Sequence, residues 1–190
     1  MQPIRYSSLV VFTMLFACTS DETESQPQPQ PQQEDFTHLF DCQSEGFDVA
    51  RPLSGSGFDP AQGGLTGTPR ASYIVHTTQI FVRPEQQERF FELIGPVVLQ
   101  LAETPGLIGY SLASDPKCGD SRTMGVWESE DAIYAFVGSG AHAEAMPHAV
   151  DISFTGRTTH WSATAEEVNA LDWPAVDAKL RELDPDPIYD

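Results

Sequence analysis

The sequence predicts an α+β domain whose elements follow the order β-α-β-β-α-β. Three observations support this prediction. Four segments are rich in β-branched and aromatic residues, as strands are. Two segments between them have helix signals: the first places apolar residues at three- and four-residue steps, which is the spacing of one buried helix face, and the second begins after a Ser that can cap a helix. These segments alternate in the order of the split βαβ arrangement, so the predicted fold is ferredoxin-like.

The first strand is predicted over residues 73–82, and Pro84 opens the helix that follows it. Gly95 and Pro96 are expected to kink this helix or to split it in two, and residues 104–106 end it. The predicted buried positions of the helix are Phe90, Phe91, Ile94, Val97, Val98 and Leu101.

The rest of the domain is predicted to hold two adjacent strands, an interrupted helix and a last strand. Ser129 is placed to cap the second helix, which a Gly-Ser-Gly sequence interrupts. A further helix, with Val176, Leu180 and Leu183 on one side, is expected after the last strand. The predicted bounds are 107–113 and 122–127 for the two strands, 130–137 and 141–146 for the interrupted helix, 152–161 for the last strand, and 174–183 for the C-terminal helix.

The composition limits the partners of the protein. The 190 residues include 10 Lys and Arg against 28 Asp and Glu, which gives a formal charge of −18. Nucleic acid and anionic lipid surfaces both attract a basic face, so neither is an expected electrostatic partner. The length is enough for one domain of ordinary size with extensions.

Residues 1–17 are predicted to be a secretory signal peptide. The apolar run over residues 9–17 is too short to span a bilayer, which takes about 20 residues, but it suits the core of such a signal. The run ends in Leu-Phe-Ala-Cys, which resembles a bacterial lipobox. That resemblance implies an exported lipoprotein of the bacterial cell envelope, membrane-anchored through Cys18. The alternative is an ordinary signal peptide followed by a coincidental Cys.

Four further parts are predicted after the signal peptide. Residues 18–34 hold the lipidated Cys and a Gln- and Pro-rich tether that lacks the apolar surface needed to fold. Residues 35–71 are rich in Gly and have no regular period, which predicts a loop-rich extension. The folded domain is expected at 72–163, and a C-terminal helix with an acidic tail at 164–190.

Cys42 and Cys118 are the two cysteines that follow the tether. In an exported protein an even pair of cysteines predicts a disulfide, and the alternative is two unrelated buried thiols. A metal site is not expected, because no other Cys or His stands at ligand spacing from either one.

Two motifs in the predicted domain resemble the antibiotic-biosynthesis-monooxygenase family of dimeric α+β barrels. One is Val-Trp-Glu-Ser-Glu-Asp-Ala at 126–132 with Phe136, followed by Ser-Gly-Ala-His-Ala-Glu-Ala-Met at 139–146. The other is Thr-Pro-Gly-Leu-Ile-Gly at 104–109, which is similar to the family's link between the first helix and the second strand. The resemblance covers residues 73–161.

The resemblance implies a homodimer in which the sheets of two copies face each other and each copy has a pocket between its helices and its sheet. It also implies a small apolar or phenolic ligand. Some members of the family oxidise quinols or phenols without a cofactor, and the resemblance implies the same reaction here. The haem-degrading branch carries a Trp and a ligand His where this chain has Phe136 and Met146, so haem is not expected.

The family's recurring helix His corresponds to His142, and its strand-end Trp corresponds to Trp127. The resemblance implies that His142 is a catalytic base and that Trp127 lines the pocket. The alternatives are a structural hydrogen bond for His142 and a core position for Trp127. On the last strand, alternation puts Arg157 and Trp161 on one face and His160 on the other, so one of Arg157 and His160 is expected to face the pocket.

Two further polar side chains lie on predicted strands. Tyr110 is expected to share a strand face with Ile108 and Leu112, which predicts a core position. His76 is in the middle of the first strand and is either inward and paired or exposed.

The sequence thus favours a membrane-anchored, cofactor-free monooxygenase of quinol or phenolic small molecules. Two alternatives with the same fold stay open. One is a module that binds an apolar ligand without chemistry, and the other is an interaction domain whose pocket is filled by its own side chains. An oxygenase needs a base that points into the pocket, whereas a binding module needs only an apolar cavity.

Overall fold

The computed structural model of the chain describes residues 35–182 and the backbone of residues 186–187. The predicted signal peptide, Cys18, the tether and most of the acidic tail lie outside the described residues. Within the described part of the chain, no helix is both long and apolar enough to cross a membrane.

An antiparallel sheet forms the centre of the fold, and helices lie on both of its faces. The strands are β1 (Asp48–Ser54), β2 (Phe58–Asp59), β3 (Gly64–Leu65), β4 (Tyr73–Val82), β5 (Leu107–Asp115), β6 (Asp120–Trp127), β7 (Ser153–Ala163) and β8 (Asp186–Pro187). The α-helices are α1 (Gln87–Glu103), α2 (Glu130–Val137), α3 (Gly140–Ala145), α4 (Ala149–Ile152), α5 (Ala165–Asn169) and α6 (Trp173–Glu182). Short 3-10 helices occur at Thr37–Asp41, Pro60–Gln62, Pro84–Gln86 and Met146–His148.

The central sheet has the strand order β1-β5-β6-β4-β7-β8. The elements β4, α1, β5, β6, α2 and β7 follow the predicted β-α-β-β-α-β order, so the ferredoxin-like α+β fold is confirmed. The predicted interruption of the second helix is also present, since α2 ends at Val137 and α3 begins at Gly140.

The two faces of the sheet have separate cores. On the face that we call the helix face, Tyr110 and Trp127 pack against α1 and α2. On the opposite face, which we call the back face, Val75 and Met124 belong to two clusters that include side chains of α5 and α6. A side chain on β4, β5, β6 or β7 therefore belongs to one of two distinct environments, and the strand register decides which.

Helix α1 runs without a break across Gly95 and Pro96, so the predicted split is wrong. Val97 and Leu101 are buried after the proline and pack on the helix face. Gly95 and Pro96 lie on the exposed side of the helix. Water there can satisfy the carbonyl of Glu92, which a proline four residues later leaves without a donor. Packing of the buried side therefore keeps α1 continuous.

A bulge in β5 changes the predicted face of one core residue. Leu107 lies opposite Trp127, but Gly109 lies opposite Val126, so the register shifts at Ile108. Ile108 consequently packs with the back-face cluster, while Tyr110 packs on the helix face. The expectation that Ile108 and Tyr110 share a face is wrong, because a bulge breaks the two-residue alternation of a strand.

Residues 35–71 contain more regular structure than the predicted loop. Strand β1 pairs with β5 and extends the sheet, while β2 and β3 form a small separate hairpin. The pairing of β1 is irregular, with register shifts after Val49 and after Arg51. A strand with such shifts lacks the alternating pattern by which strands are recognised in a sequence.

The predicted disulfide is present between Cys42 and Cys118, whose Cα atoms lie 5.8 Å apart. It joins the start of the N-terminal extension to the turn between β5 and β6. The carboxylate of Asp115 supports this turn by accepting from the backbone N–H groups of Lys117 and Cys118.

Two helices follow β7, of which only the second was predicted. In α6, Val176 and Leu180 are buried as expected. Helix α5 begins with a capping box, in which the Thr164 hydroxyl accepts from the N–H of Glu167 and the Glu167 carboxylate accepts from the N–H of Thr164. The sequence signal for α5 was this Thr-x-x-Glu pattern.

Candidate functional site

Four strands bring a row of residues together on the helix face. His76 of β4 lies opposite Gly125 of β6 on one side and opposite His160 of β7 on the other. Gly125 in turn lies opposite Tyr110 of β5. Directly opposed residues in antiparallel strands share a face and have Cα atoms about 4.5–5.5 Å apart. His160, His76, Gly125 and Tyr110 therefore form one continuous strip, which we call the histidine row.

Hydrogen bonds fix the tautomer of His76. The hydroxyl of Thr158 donates to the carbonyl oxygen of Thr77 over 3.0 Å, which uses its one hydrogen. The Nε2 atom of His76 lies 3.0 Å from the same hydroxyl oxygen. Since that oxygen can then only accept, we assign the hydrogen of the imidazole to Nε2. The lone pair of neutral His76 is therefore on Nδ1.

His76 is neutral at physiological pH. Burial, together with smaller contributions from the positive charges of His160 and His142, lowers its pKa from 6.5 to about 4. A neutral imidazole with one free lone pair is a hydrogen-bond acceptor and a proton acceptor.

The indole of Trp127 lies over Gly125 in the histidine row. Its Nε1 atom is 2.6 Å from the position that a Cβ atom on residue 125 would occupy, so the ring occupies space that only glycine leaves free. Trp127 is 1% exposed, and its Nε1–H has no hydrogen-bond partner among the described residues. An unpaired buried donor costs about 1–3 kcal/mol, and a bound ligand or water is one physical reason for it.

Tyr110 ends the row and is buried, as the sequence predicted. The guanidinium carbon of Arg51 lies 4.2 Å from the centre of its ring, a cation–π contact. The sequence did not point to Arg51, because the residue stands on the irregular strand β1 and its position depends on the pairing with β5.

His142 is held at the start of α3 by Gln100 of α1. Its backbone N–H donates to Gln100 Oε1 over 2.9 Å, while Gln100 Nε2 donates to the carbonyl oxygen of Ser139 over 3.0 Å. The Nδ1 atom of His142 lies 3.1 Å from the carbonyl oxygen of Val137. A carbonyl only accepts, so Nδ1 carries the hydrogen and Nε2 keeps the lone pair. His142 thus makes a structural hydrogen bond and still has a free acceptor.

Phe136 connects His142 to Trp127. Its ring centre lies 4.8 Å from that of His142 and 5.7 Å from that of Trp127. Burial lowers the pKa of His142, although the hydrogen bond to Val137 opposes the shift. The two residues that the family resemblance singled out therefore lie on either side of one aromatic ring.

The last strand places its two candidate residues on opposite sides of the sheet. His160 is in the histidine row, and its Nε2 atom lies 3.5 Å from Glu130 Oε1. Arg157 is buried on the back face, where its Nε donates to Gln79 Oε1 over 2.7 Å. The sheet therefore separates Arg157 from the histidine row, and His160 is the one that faces the helix layer.

An open cleft of about 360 Å³ lies between α1 and α2. Its volume is within the range of small-molecule sites, about 300–1,000 Å³. Phe136 lines the cleft and also contacts Trp127 and His142, so one aromatic ring separates the cleft from these two residues. Among the described residues there is no group of His, Cys, Asp and Glu that could hold a metal ion. The residues that line the cleft are Gln100, Glu103, Thr104, Pro105, Ala135, Phe136 and Ser139.

Residues 73–148 match the family model described as antibiotic biosynthesis monooxygenase. This part of the chain is an antibiotic-biosynthesis-monooxygenase-like (ABM-like) domain. The match ends before β7, so it excludes His160 and Arg157. It includes the other residues of the site, His76, Tyr110, Gly125, Trp127 and His142.

Solved structures that resemble the chain include a protein of Fusobacterium nucleatum, which is 12% identical with a TM-score of 0.49 over 62% of this chain and 52% of that one. A protein of Pseudomonas aeruginosa is 12% identical with a TM-score of 0.46 over 52% of this chain and 100% of that one. A structure titled antibiotic biosynthesis monooxygenase is 18% identical with a TM-score of 0.45 over 48% of this chain and 98% of that one. The chain spans about half the length of the Fusobacterium structure and of one from Lactobacillus acidophilus, 52% and 49%. No curated protein matches the chain.

Proposed function

We propose that the ABM-like domain is a cofactor-free monooxygenase of a small phenol or quinol and that His76 is its base. The proposal rests on one observation. Neutral His76 and the unpaired indole N–H of Trp127 both neighbour Gly125 on the helix face, the first on the adjacent strand and the second above the glycine. These two groups are the acceptor and the donor that a phenolic hydroxyl requires.

In the proposed reaction a phenol gives its proton to Nδ1 of His76, the nitrogen left free by the bond between Nε2 and Thr158. The phenolate oxygen accepts from the Nε1–H of Trp127, which stabilises the negative charge as it develops. A neighbouring anion raises a histidine pKa, so the phenolate offsets the burial that makes His76 a weak base when alone. Acidic hydroxyls, such as those of naphthols and quinols, are therefore the favoured substrates.

Dioxygen is the other substrate, and the redox step balances without a cofactor. For a phenol with hydrogen on the reacting carbon, a new carbon–oxygen bond forms at that carbon and the oxygen–oxygen bond breaks. One oxygen atom becomes the second carbonyl of a quinone. The other leaves as water with the hydrogen of the hydroxyl and the hydrogen of the reacting carbon. The phenol supplies all four electrons, and the protein positions the reactants and moves a proton.

The domain's other two histidines in this region have supporting roles. His142 keeps a lone pair on Nε2 and contacts Phe136, which lines the cleft, so it is a second proton acceptor near the cleft. His160 lies 3.5 Å from the Glu130 carboxylate at the exposed end of the row.

We also propose that the protein is exported and anchored in the cell envelope through Cys18. The lipobox-like sequence and the Gln- and Pro-rich tether support this location. The Cys42–Cys118 disulfide fits an oxidising compartment. An anchor of this kind holds the domain near the membrane, where apolar quinols are concentrated. Mass spectrometry of the protein from membranes should find an acylated N-terminal Cys18, and an N-terminus elsewhere would refute the anchor.

Oxygen uptake by the full chain tests the proposed reaction. The probes are 1-naphthol, 1,4-dihydroxynaphthalene and anthrone, without added metal or flavin.

We expect His76→Gln to lower the rate by about 10²–10⁴-fold, the usual contribution of a general base. Trp127→Phe keeps an aromatic ring, although a smaller one, and should cost about 10²–10³-fold through loss of the N–H donor. His38→Gln, at an exposed histidine, is the control. Uptake at the rate of the buffer with all three probes would overturn the proposal.

A second candidate function is ligand binding without chemistry. Trp127 packs closely with Tyr110, Ile133 and Phe136, so the domain's own side chains fill much of the helix face. Quenching of tryptophan fluorescence by 1-naphthol, together with no oxygen uptake, would favour this function. Uptake that depends on His76 would exclude it.

A further inference from the structure

The back face of the sheet is covered along β4, β5 and β6. Its side chains come from alternate positions of these strands, and their burial leaves almost no surface for another molecule. Those that are at most 2% exposed include Val75, Thr77, Gln79, Ser111, Met124 and Val126. The family resemblance implies that this face, opposite the helices, meets the sheet of a second copy.

The C-terminal helices supply one part of the cover. Val168 of α5 packs with Val75 and Val126, and Val176 of α6 packs with Met124. Leu180 of α6 is 0% exposed. These apolar side chains cover the sheet as the sheet of a second copy would, but they belong to the same chain.

The N-terminal extension supplies the other part. The ring of Phe40 lies 4.6 Å from the guanidinium carbon of Arg157 and packs against Phe81, both on the back face. Arg181 of α6 donates to the carbonyl oxygens of Phe40 and Cys42, the former over 3.1 Å. The Cys42–Cys118 disulfide then fixes this segment to the β5–β6 turn. The two terminal segments thus hold each other in place over the sheet.

Charged groups of the back face also find their partners within the chain. Arg122 of β6 donates from Nε to Asp120 over 2.9 Å, and its Nη2 lies 3.0 Å from Asp177 Oδ1 of α6. Arg181 pairs with the other oxygen of Asp177 over 2.8 Å. A buried charge without a partner is strongly destabilising. If the sheet of a second copy took the place of α6, Arg122 would lose its contact with Asp177. The ion pairs therefore favour α6 as the cover of the back face.

We propose that the back face is a docking surface for the chain's own terminal segments, residues 35–71 and 165–182, and that the protein is consequently a monomer. The segments take the place of the second copy. Each molecule has one histidine row, and every residue of that site comes from one chain. This inference concerns the face opposite the proposed reaction, so it does not depend on that reaction.

Sedimentation velocity of the full chain in density-matched detergent tests the proposal. We expect the mass of a single polypeptide over a wide range of concentration; this is 20.9 kDa for all 190 residues, less the signal peptide and plus the acyl groups if Cys18 is the N-terminus. Leu180→Asp places a charge under the cover and should give larger species and increased binding of a hydrophobic dye. Leu99→Asp is the matched control, because Leu99 lies on the opposite layer and is 71% exposed. It should sediment as the wild type does.

A wild-type particle of twice the chain mass would overturn the proposal, and so would a folded Leu180→Asp variant that remains a single chain without extra dye binding. The wild-type measurement needs no variant, so the proposal stays testable if Leu180→Asp fails to fold. Oxygen uptake is not the readout, so a failed oxygenase assay leaves this test unaffected.

Discussion

The Nε2 atom of His76 lies 3.0 Å from the Oγ1 atom of Thr158 on the neighbouring strand. Because Thr158 donates its only hydrogen to the backbone at Thr77, the contact determines which nitrogen of the imidazole is protonated. A hydroxyl on β7 therefore determines that the free lone pair of His76 is on Nδ1. The proposed role of His76 on β4 therefore depends on β7, which lies outside the segment that matches the family model.

Folding stability should fall as the pH is lowered from 6.5 toward 4. His76 has a pKa of about 4 in the folded protein against 6.5 when unperturbed, chiefly because of burial. Between these two pH values, the unfolded chain therefore binds a proton at His76 that the folded chain does not bind. The stability from this group is complete above pH 6.5 and is lost down to about pH 4, by up to about 3 kcal/mol. Urea unfolding across this range measures the loss.

His76→Gln should remove most of that slope. A smaller slope of the same sign should persist, because burial also lowers the pKa of His142. His38→Gln should retain the full wild-type slope. An equal slope in wild type and His76→Gln would show that His76 is not the group responsible.

Thr158→Val should allow His76 to adopt both neutral tautomers. The substitution removes the hydroxyl with little change in side-chain volume. The part-buried imidazole N–H and the carbonyl of Thr77 each lose a hydrogen-bond partner, and the loss of one such bond costs about 1 kcal/mol. Nitrogen NMR of labelled histidine should show hydrogen on Nε2 in the wild type and a mixture of tautomers in the variant. The rate of any oxygen uptake should fall with the Nε2-protonated fraction. An unchanged spectrum would refute the role of Thr158.

Gly125→Ala should displace the indole of Trp127. The added Cβ atom would lie 2.6 Å from Nε1, closer than packing allows, and the ring is buried on all sides. Overpacking of this kind costs about 1–3 kcal/mol. We expect a shifted tryptophan emission and weaker binding of 1-naphthol. Gly95→Ala is the matched control, since a Cβ there meets nothing within 4 Å. Equal emission and affinity in both variants would contradict the placement of Trp127.

The order of elements could be predicted from the sequence because its signals are local. The apolar spacing of α1 and the Ser129 cap of α2 require only neighbouring residues. The irregular strand β1 gave no such signal, and Arg51 was missed with it. Ile108 was assigned to the wrong face because a bulge depends on how β5 pairs with β6, which no run of residues within β5 records.

The candidate site was predictable only in part for the same reason. Trp127 and His142 stand in recognisable motifs, and the structure links them through Phe136. The pairing of His76 with Thr158 joins residues that are 82 positions apart. Cross-strand register creates that contact, so no local pattern could decide whether His76 was paired or exposed.

Replacing both Cys42 and Cys118 by Ser should lower the free energy of unfolding by about 4 kcal/mol. The disulfide joins residues 76 positions apart, and the chain-entropy model gives this value as an upper estimate for such a loop. The wild type in reductant should lose a similar amount, which separates the effect of the bond from that of the serines. A loss below about 1 kcal/mol would mean that residues 35–71 hold their place without the bond.

Asp120→Asn should be among the most destabilising single changes on the back face. The side chains of Asp120 and Arg122 are both 0% exposed, and removing one partner of a buried pair costs about 3–5 kcal/mol, which is an upper limit here because Arg122 keeps Asp177 as a second partner. Glu92→Gln at the exposed Arg89–Glu92 pair is the control and should cost at most about 0.5 kcal/mol. Asp120→Leu combined with Arg122→Met removes both charges. That double variant should therefore lose less stability than Asp120→Leu and Arg122→Met lose in sum when each is measured alone. Additive losses in urea unfolding would show that the two charges do not stabilise each other, which would contradict the need of back-face charges for partners within the chain.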